Sequence, residues 1–218
     1  MALPLAGKHC VVVGATGVIG FSIAKAFSHQ GAVISLLGRS VLDARPRLEP
    51  QLRPYSLPGT DADTPSAHQF IRLDASNRDE IKAVFSPRGS SKSFVGPIDI
   101  LVNCAGISQT TLLKRTPDEE LSSIVDTNLL ATMLVCKHAK MRPNGCIINV
   151  SSLMATKGGL GATAYAASKA GVVGFTRALC LEMASRSIRV NALLPGWVNS
   201  SMWTGVYILL PISCPLET

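Results

Sequence analysis

Aromatic residues are scarce in this 218-residue chain, at 5%, and charged residues reach only 16% against 47% hydrophobic. That balance excludes a disordered polyelectrolyte and fits one domain with a full core. It also suits an α/β protein whose parallel strands are buried on both faces. The six cysteines, Cys10, Cys104, Cys136, Cys146, Cys180 and Cys214, form no CxxC pair and no Cys/His cluster. No metal and no disulfide framework is expected, only reduced thiols of an intracellular protein. No apolar run approaches the ~20 residues needed to cross a bilayer. Met1–Lys8 has neither a signal-peptide apolar core nor an Arg-rich presequence. The expected location is therefore cytoplasmic, with the mitochondrial matrix as the alternative. Net charge is +7, yet no Lys/Arg run is interleaved with aromatics, so nucleic acid is not an expected partner, and neither is a membrane.

What is present is an alternation of apolar runs and helical patterns. Strands are expected at His9–Val13, Ala32–Leu37, Phe70–Leu73, Ile98–Asn103, Gly145–Ser151 and Ile188–Leu194. Helices are expected at Val18–His29, Arg78–Phe85, from Thr116 to about Lys140, and at Thr163–Ala184. Thr116-Pro117-Asp118-Glu119 reads as a capping box with proline at the first helical position. Repeated β-α units imply a Rossmann-like, doubly wound parallel sheet in three αβα layers with right-handed crossovers. Ser40–His68 is expected to be a long loop with at most a short helix, and Pro87–Pro97 an exposed connection.

Val11-Val12-Val13-Gly14-Ala15-Thr16-Gly17-Val18-Ile19-Gly20 reads as strand, glycine turn and helix start. Glycines there let backbone N–H groups approach a pyrophosphate at the positive end of the helix. Gly14, Thr16, Gly17, Ile19 and Gly20 are the candidate contacts. After the second strand, Leu37-Gly38-Arg39-Ser40 lacks the acid that would accept a ribose 2′-hydroxyl. Arg39 can instead pair with a 2′-phosphate, so NADP(H) is the expected cofactor; the alternative is a solvated loop cation.

Three residues carry the candidate chemistry: Ser152, Tyr165 and Lys169. Tyr165 and Lys169 are four apart, so on a helix they share a face about 6 Å apart along the axis. A cation beside a phenol favours phenolate, which would make Tyr165 an acid–base group tuned by Lys169. Ser152 could hold a carbonyl oxygen.

Together these motifs resemble the short-chain dehydrogenase/reductase family over about Gly7 to Met202. The likeness rests on the glycine turn, Asp74, Asn103-Cys104-Ala105-Gly106, Asn128, Ser152, Tyr165, Lys169 and Pro195-Gly196-Trp197-Val198. The resemblance implies that Asp74 contacts the adenine, where a helix cap is the alternative. It implies that Asn103, Ala105 and Gly106 line the adenosine side, with Asn103 also bracing the sheet. Asn128 would hold a water of a proton relay, or be a satisfied buried amide. Ser152 would orient the substrate carbonyl, Tyr165 donate the proton, and Lys169 hold the nicotinamide ribose. Pro195, Gly196, Val198 and Ser200 would contact the carboxamide.

Within the family the likeness is to 3-oxoacyl-[acyl-carrier-protein] reductases and carbonyl reductases. It implies an NADPH-dependent reduction of a ketone, a 3-oxoacyl thioester in particular. It also implies an acidic carrier protein bound through Arg142 and Arg186 near the cleft, and a homodimer through the helices at 117–140 and 163–184.

Two departures stand out. Val18 occupies the place where the second motif glycine usually lies. Beyond Met202, residues 203–218 match no element of the family, whose seventh strand is missing, so 1–202 is read as the dinucleotide-binding domain and 203–218 as an aberrant tail. The second reading is accordingly a shortened, inactive nucleotide-binding or partner-binding subunit.

Overall fold

The computed structural model describes residues 3–55, 63–86, 94–109 and 111–200. The tail at 203–218, with Met202, lies outside them. Six parallel strands form one sheet: β1 His9–Val13, β2 Val33–Gly38, β3 Gln69–Arg72, β4 Ile98–Asn103, β5 Met141–Val150 and β6 Arg189–Leu193, ordered β3-β2-β1-β4-β5-β6. The order reverses between β1 and β4, which opens a crevice at their carboxyl ends, where open α/β sheets bind ligands. Helices α1 Val18–His29 and α2 Val41–Leu48 flank the β1–β3 half. The remaining helices are α3 Arg78–Phe85, α4 Asp118–Val125, α5 Ala131–His138, the short α6 Met154–Lys157 and the long α7 Thr163–Met183.

Two apolar clusters make the core. One joins Val11, Leu37 and Ile147 to α3, α5 and α7 through Phe85, Val135 and Leu179. The other joins Cys10, Val12 and Leu36 to α1 and α2 through Ala24 and Val41. β1 and β2 are buried along their whole length, so they read as unbroken apolar runs.

Where the structure departs from expectation, side-chain chemistry gives the reason. Thr116 does not cap α4. Its hydroxyl bonds the Leu112 carbonyl (3.1 Å) and lies 2.8 Å from Thr111 Oγ1, so Pro117 takes the cap position without a side-chain bond. The helix expected to reach Lys140 is broken by a π-turn over Asp126–Leu130 and ends at His138. β5 starts at Met141, four residues early, and its pairing with β4 shifts register between Ile98 and Ile100 around the positive-φ Asn144. The 87–97 connection is not wholly exposed: Val95 is buried and donates to the Val84 carbonyl at 3.1 Å. The 40–68 segment holds α2, and a 3-10 turn at Glu49–Gln51 follows it.

A polar network ties the amino ends of the strands. His9 is fully buried, with Nδ1 2.8 Å from the Pro97 carbonyl and Nε2 2.8 Å from Ser35 Oγ. Ser35 Oγ in turn lies 2.8 Å from the Gln69 side-chain amide, so three strands are linked. Burial lowers the His9 pKa, more than the Pro97 bond and the Asp99 charge raise it. As pH falls below the ordinary value of 6.5, the unfolded chain takes up the proton first. Stability supplied by neutral His9 is thus full above pH 6.5 and lost below it. Urea midpoints should fall more between pH 7.5 and 5.5 in the wild type than in His9→Gln; equal slopes would clear His9 of that role.

Candidate active site

Gly14 follows β1 at φ +83°, a conformation open to glycine. A Cβ there would lie 2.6 Å from Ala105 N, because the turn packs directly on the segment after β4. The turn is pinned to β2, Gly14 N–H and Ala15 N–H both donating to the Leu37 carbonyl at 2.8 and 3.0 Å. Helix α1 has Gly17 at its cap position, with no side-chain cap and no acid in its first turn. Its first N–H groups are therefore free donors at the positive end of a helix dipole.

These residues form one wall of a cavity of about 670 Å³ that also takes in Arg39, Gly106, Ser152, Tyr165, Pro195, Gly196, Val198 and Ser200. Thr16, Gly17, Ile19 and Gly20 line it as expected. A side pocket of about 120 Å³ holds Asp74 with Gly38, Arg39 and Thr127. Asp74 does not cap a helix: it accepts from Ser76 N–H (3.0 Å) and Ser76 Oγ (2.8 Å), while Asn77 caps α3. Burial raises the Asp74 carboxyl, but the Ser76 bonds and the charges of Arg39 and Arg72 outweigh it and hold the group low. Asn103 and Ala105 line neither cavity. Asn103 is buried and donates to Asn149 Oδ1 at 2.8 Å, which makes it a sheet brace.

Ser152 lies two residues past the end of β5, and Tyr165 and Lys169 stand one turn apart on α7. The helix is clamped to the strand by buried polar bonds. Ser151 Oγ donates to the Lys169 carbonyl (2.7 Å), Asn149 Nδ2 to Thr176 Oγ1 (3.0 Å), and Lys169 Nζ to the Val150 carbonyl (2.9 Å). Tyr165 shares a hydrogen bond with Ser152, and Lys169 Nζ lies 5.9 Å from its ring centroid.

The electrostatics differ from expectation. The Tyr165 phenol is raised, not lowered: burial dominates, and the Ser152 bond offsets only part of it. Burial also pushes Lys169 down to about 8. The ammonium is engaged by the Val150 carbonyl. Asn128 is fully buried in the π-turn with its amide satisfied. Nδ2 donates to the Ile107 carbonyl and to Ser168 Oγ, both at 3.0 Å, and Oδ1 accepts from Ile107 N–H at 2.8 Å. It holds the loop after β4 against α7 and does not line the cavity.

Arg142 and Arg186 are not at this chain's own cleft. Arg142 opens β5, bonds Thr64 Oγ1 at 3.1 Å and faces Asp99; Arg186 bonds the Met141 carbonyl. Both serve the amino end of β5, whereas Ser152 stands past its carboxyl end. Conversely, Arg47, Cys104 and Ser151 line the main cavity without having been singled out. For Arg47 a signal existed: Ala44 and Arg47 are three apart on α2 and share the cavity-facing side. A second pocket of about 120 Å³, between Ser152, Met154, Lys157 and Trp197, adjoins the chemistry.

Residues 8–207 match the family model described as short chain dehydrogenase. The chain is 35% identical to "3-oxoacyl-[acyl-carrier-protein] reductase FabG" of Chlamydia muridarum, over 93% of this chain and 78% of the relative. It is 36% identical to "Carbonyl reductase family member 4" of Danio rerio, over 91% and 79% respectively. A dehydrogenase/reductase from Sinorhizobium meliloti 1021 superposes with a TM-score of 0.78 at 27% identity, covering 92% of this chain and 76% of that one.

The glycine geometry predicts opposite outcomes at two positions. Gly14→Ala adds positive-φ strain of about 1–3 kcal/mol to a backbone clash and should lower the melting temperature sharply. Gly174, exposed on α7 with nothing within 4 Å of a Cβ, should gain about 0.5–1 kcal/mol as alanine. Thermal unfolding of both variants checks the pair.

Proposed function

The chain belongs to the short-chain dehydrogenase family, and on that footing we propose that it is an NADPH-dependent reductase of ketones, 3-oxoacyl thioesters in particular. The observation that carries the reading is convergence. Ser152 and Tyr165 line the same cavity as the glycine turn and Arg39, with Lys169 within 5.9 Å of the Tyr165 ring.

A dinucleotide fits the residues present. The uncapped start of α1 offers N–H donors to a pyrophosphate, and Arg39 and Arg47 offer cations to a 2′-phosphate. Asp74 borders the side pocket proposed for the adenine. Pro195, Gly196, Val198 and Ser200 are proposed at the carboxamide. When bound, the reduced cofactor supplies a hydride to the carbonyl carbon.

The chain's own residues supply the rest. Ser152 Oγ holds the carbonyl oxygen, and Tyr165 delivers a proton to it as the alcohol forms. The phenol carries the proton it must donate; burial raises its pKa, and the Ser152 hydrogen bond offsets part of that rise. Lys169 steadies the phenolate left behind. Asn128 acts at one remove, by fixing Ile107 and Ser168.

An acidic acyl carrier fits the net charge of +7, and the reading gives Arg142 and Arg186 no place at this chain's own cleft. A homodimer through α4, α5 and α7 is proposed alongside; α7 leaves Leu181 80% exposed. The cytosol is the proposed compartment, in keeping with five described cysteines that are all free thiols. No helix among the described residues is long and apolar enough to cross a membrane.

Two measurements test the proposal. NADPH oxidation with an acetoacetyl thioester should fall by about 10²–10⁴-fold in Tyr165→Phe; unchanged turnover would sink the assigned role. NADPH binding with no turnover in the wild type would favour the inactive-subunit reading. Separately, Arg39→Asp should shift the Kd ratio toward NADH, and a wild type that already prefers NADH would refute the 2′-phosphate reading.

A further inference from the structure

The catalytic helix has a weak beginning. Its cap residue, Ala162, has no side chain able to accept a hydrogen bond. Before it, Gly158 and Gly161 both have positive φ, so the approach is built of freely turning backbone. Tyr165 stands only two residues past the first helical position, Thr163. A first turn with orphan N–H groups and no local cap is prone to fray.

Gln109 supplies what the local sequence lacks. It is 2% exposed, on the loop that follows β4. Its Oε1 accepts from Ala164 N–H at 2.8 Å, an N–H of the helix's first turn. Its Nε2 donates to the Thr111 carbonyl (2.9 Å) and reaches Thr116 Oγ1 (3.1 Å) and Thr163 Oγ1 (3.3 Å). The amide has only one orientation compatible with these partners, since Ala164 N–H can only donate and the Thr111 carbonyl can only accept. One side chain thus spans 55 residues of sequence and joins two walls of the cleft: the loop carrying Ile107 and Ser108, and the helix carrying Tyr165.

We infer that Gln109 is a positioning residue: its carbonyl end caps the catalytic helix from across the cleft, and its amide end locks the 107–116 loop to that cap, so that the Tyr165 hydroxyl is held against Ser152. The inference rests on Tyr165 as proton donor in the reductase reading. It also explains why Thr116 is unavailable to cap α4, since its hydroxyl is spent in this cluster.

Two variants separate the ends of the side chain. Gln109→Met keeps length and loses both functions. Gln109→Glu keeps an oxygen for Ala164 N–H, at a helix end that favours an anion. Two readouts are compared: kcat with NADPH and an acetoacetyl thioester, and amide hydrogen exchange across 163–169 without substrate. In Gln109→Met, kcat should fall about tenfold or more, as expected for a misplaced catalytic group, and exchange across 163–169 should quicken. Gln109→Glu should restore slow exchange but kcat only in part, because its second oxygen faces the Thr111 carbonyl and cannot lock the loop. Wild-type exchange in Gln109→Met overturns the cap. Quickened exchange with unchanged kcat overturns the positioning role, and exchange in Gln109→Glu as fast as in Gln109→Met overturns the cap. A wild type that reduces no ketone refutes the reductase reading instead, and exchange still decides the cap.

Discussion

Everything at the site depends on how α7 is seated on β5. Parallel sheets bury both faces, so a helix packed on one is held mainly by non-directional apolar contact, which tolerates sliding. Here three buried hydrogen bonds remove that freedom. Ser151 grips the Lys169 carbonyl, Asn149 grips Thr176, and Lys169 reaches back to the Val150 carbonyl. Asn103 extends the chain of bonds to β4. Gly171 lets α7 approach the π-turn so closely that a Cβ would lie 2.7 Å from Leu129 Cδ2. A satisfied polar network of this kind specifies one arrangement where apolar packing would allow several.

The same seating sets the electrostatics. Lys169 is buried to 4% exposure, which costs the charged form its hydration, and the Val150 carbonyl compensates part of that loss. Tyr165 is buried beside it and pays the mirror-image penalty, so the two groups shift in opposite directions. Burial disfavours both charged forms, the ammonium and the phenolate, so each group is pushed toward its neutral state. That differs from the simple picture in which four-residue spacing alone activates the tyrosine. Spacing predicts proximity; burial decides which protonation state proximity serves.

Sequence reading succeeds where a local signal is also the physical cause. β1, α1, α3 and β4 have the expected bounds because an apolar run ended by glycine, or Asn77 accepting from Asp79 and Glu80 N–H, needs nothing from elsewhere. The glycine turn, Arg39, Ser152 and Tyr165 meet in one cavity because β-α order dictates that they end at the same edge of the sheet. It fails where distant partners decide. The spacing at Thr116 is that of a capping box, yet the hydroxyl is drawn into contact with Thr111 and Gln109. Arg142 and Arg186, expected near the cleft, instead bond Thr64 and the Met141 carbonyl at the amino end of β5. The π-turn at Asn128 leaves no mark in apolar periodicity.

These failures share a direction. At Thr116 and at the two arginines, a polar side chain has partners other than the one the sequence suggests. Thr116, expected to cap the helix beside it, stands in the cluster of Gln109, which caps a helix 55 residues away. The exchange is physically sensible. A local cap fixes one helix end relative to its own turn, and leaves that turn free to move with its loop. A cap reaching from the opposite wall fixes the helix end relative to the loop it must face. For a cleft whose chemistry needs Tyr165 and Ser152 in register, the second constraint is the useful one. Helix starts with no local cap, when they precede catalytic residues, are therefore places to look for a distant acceptor.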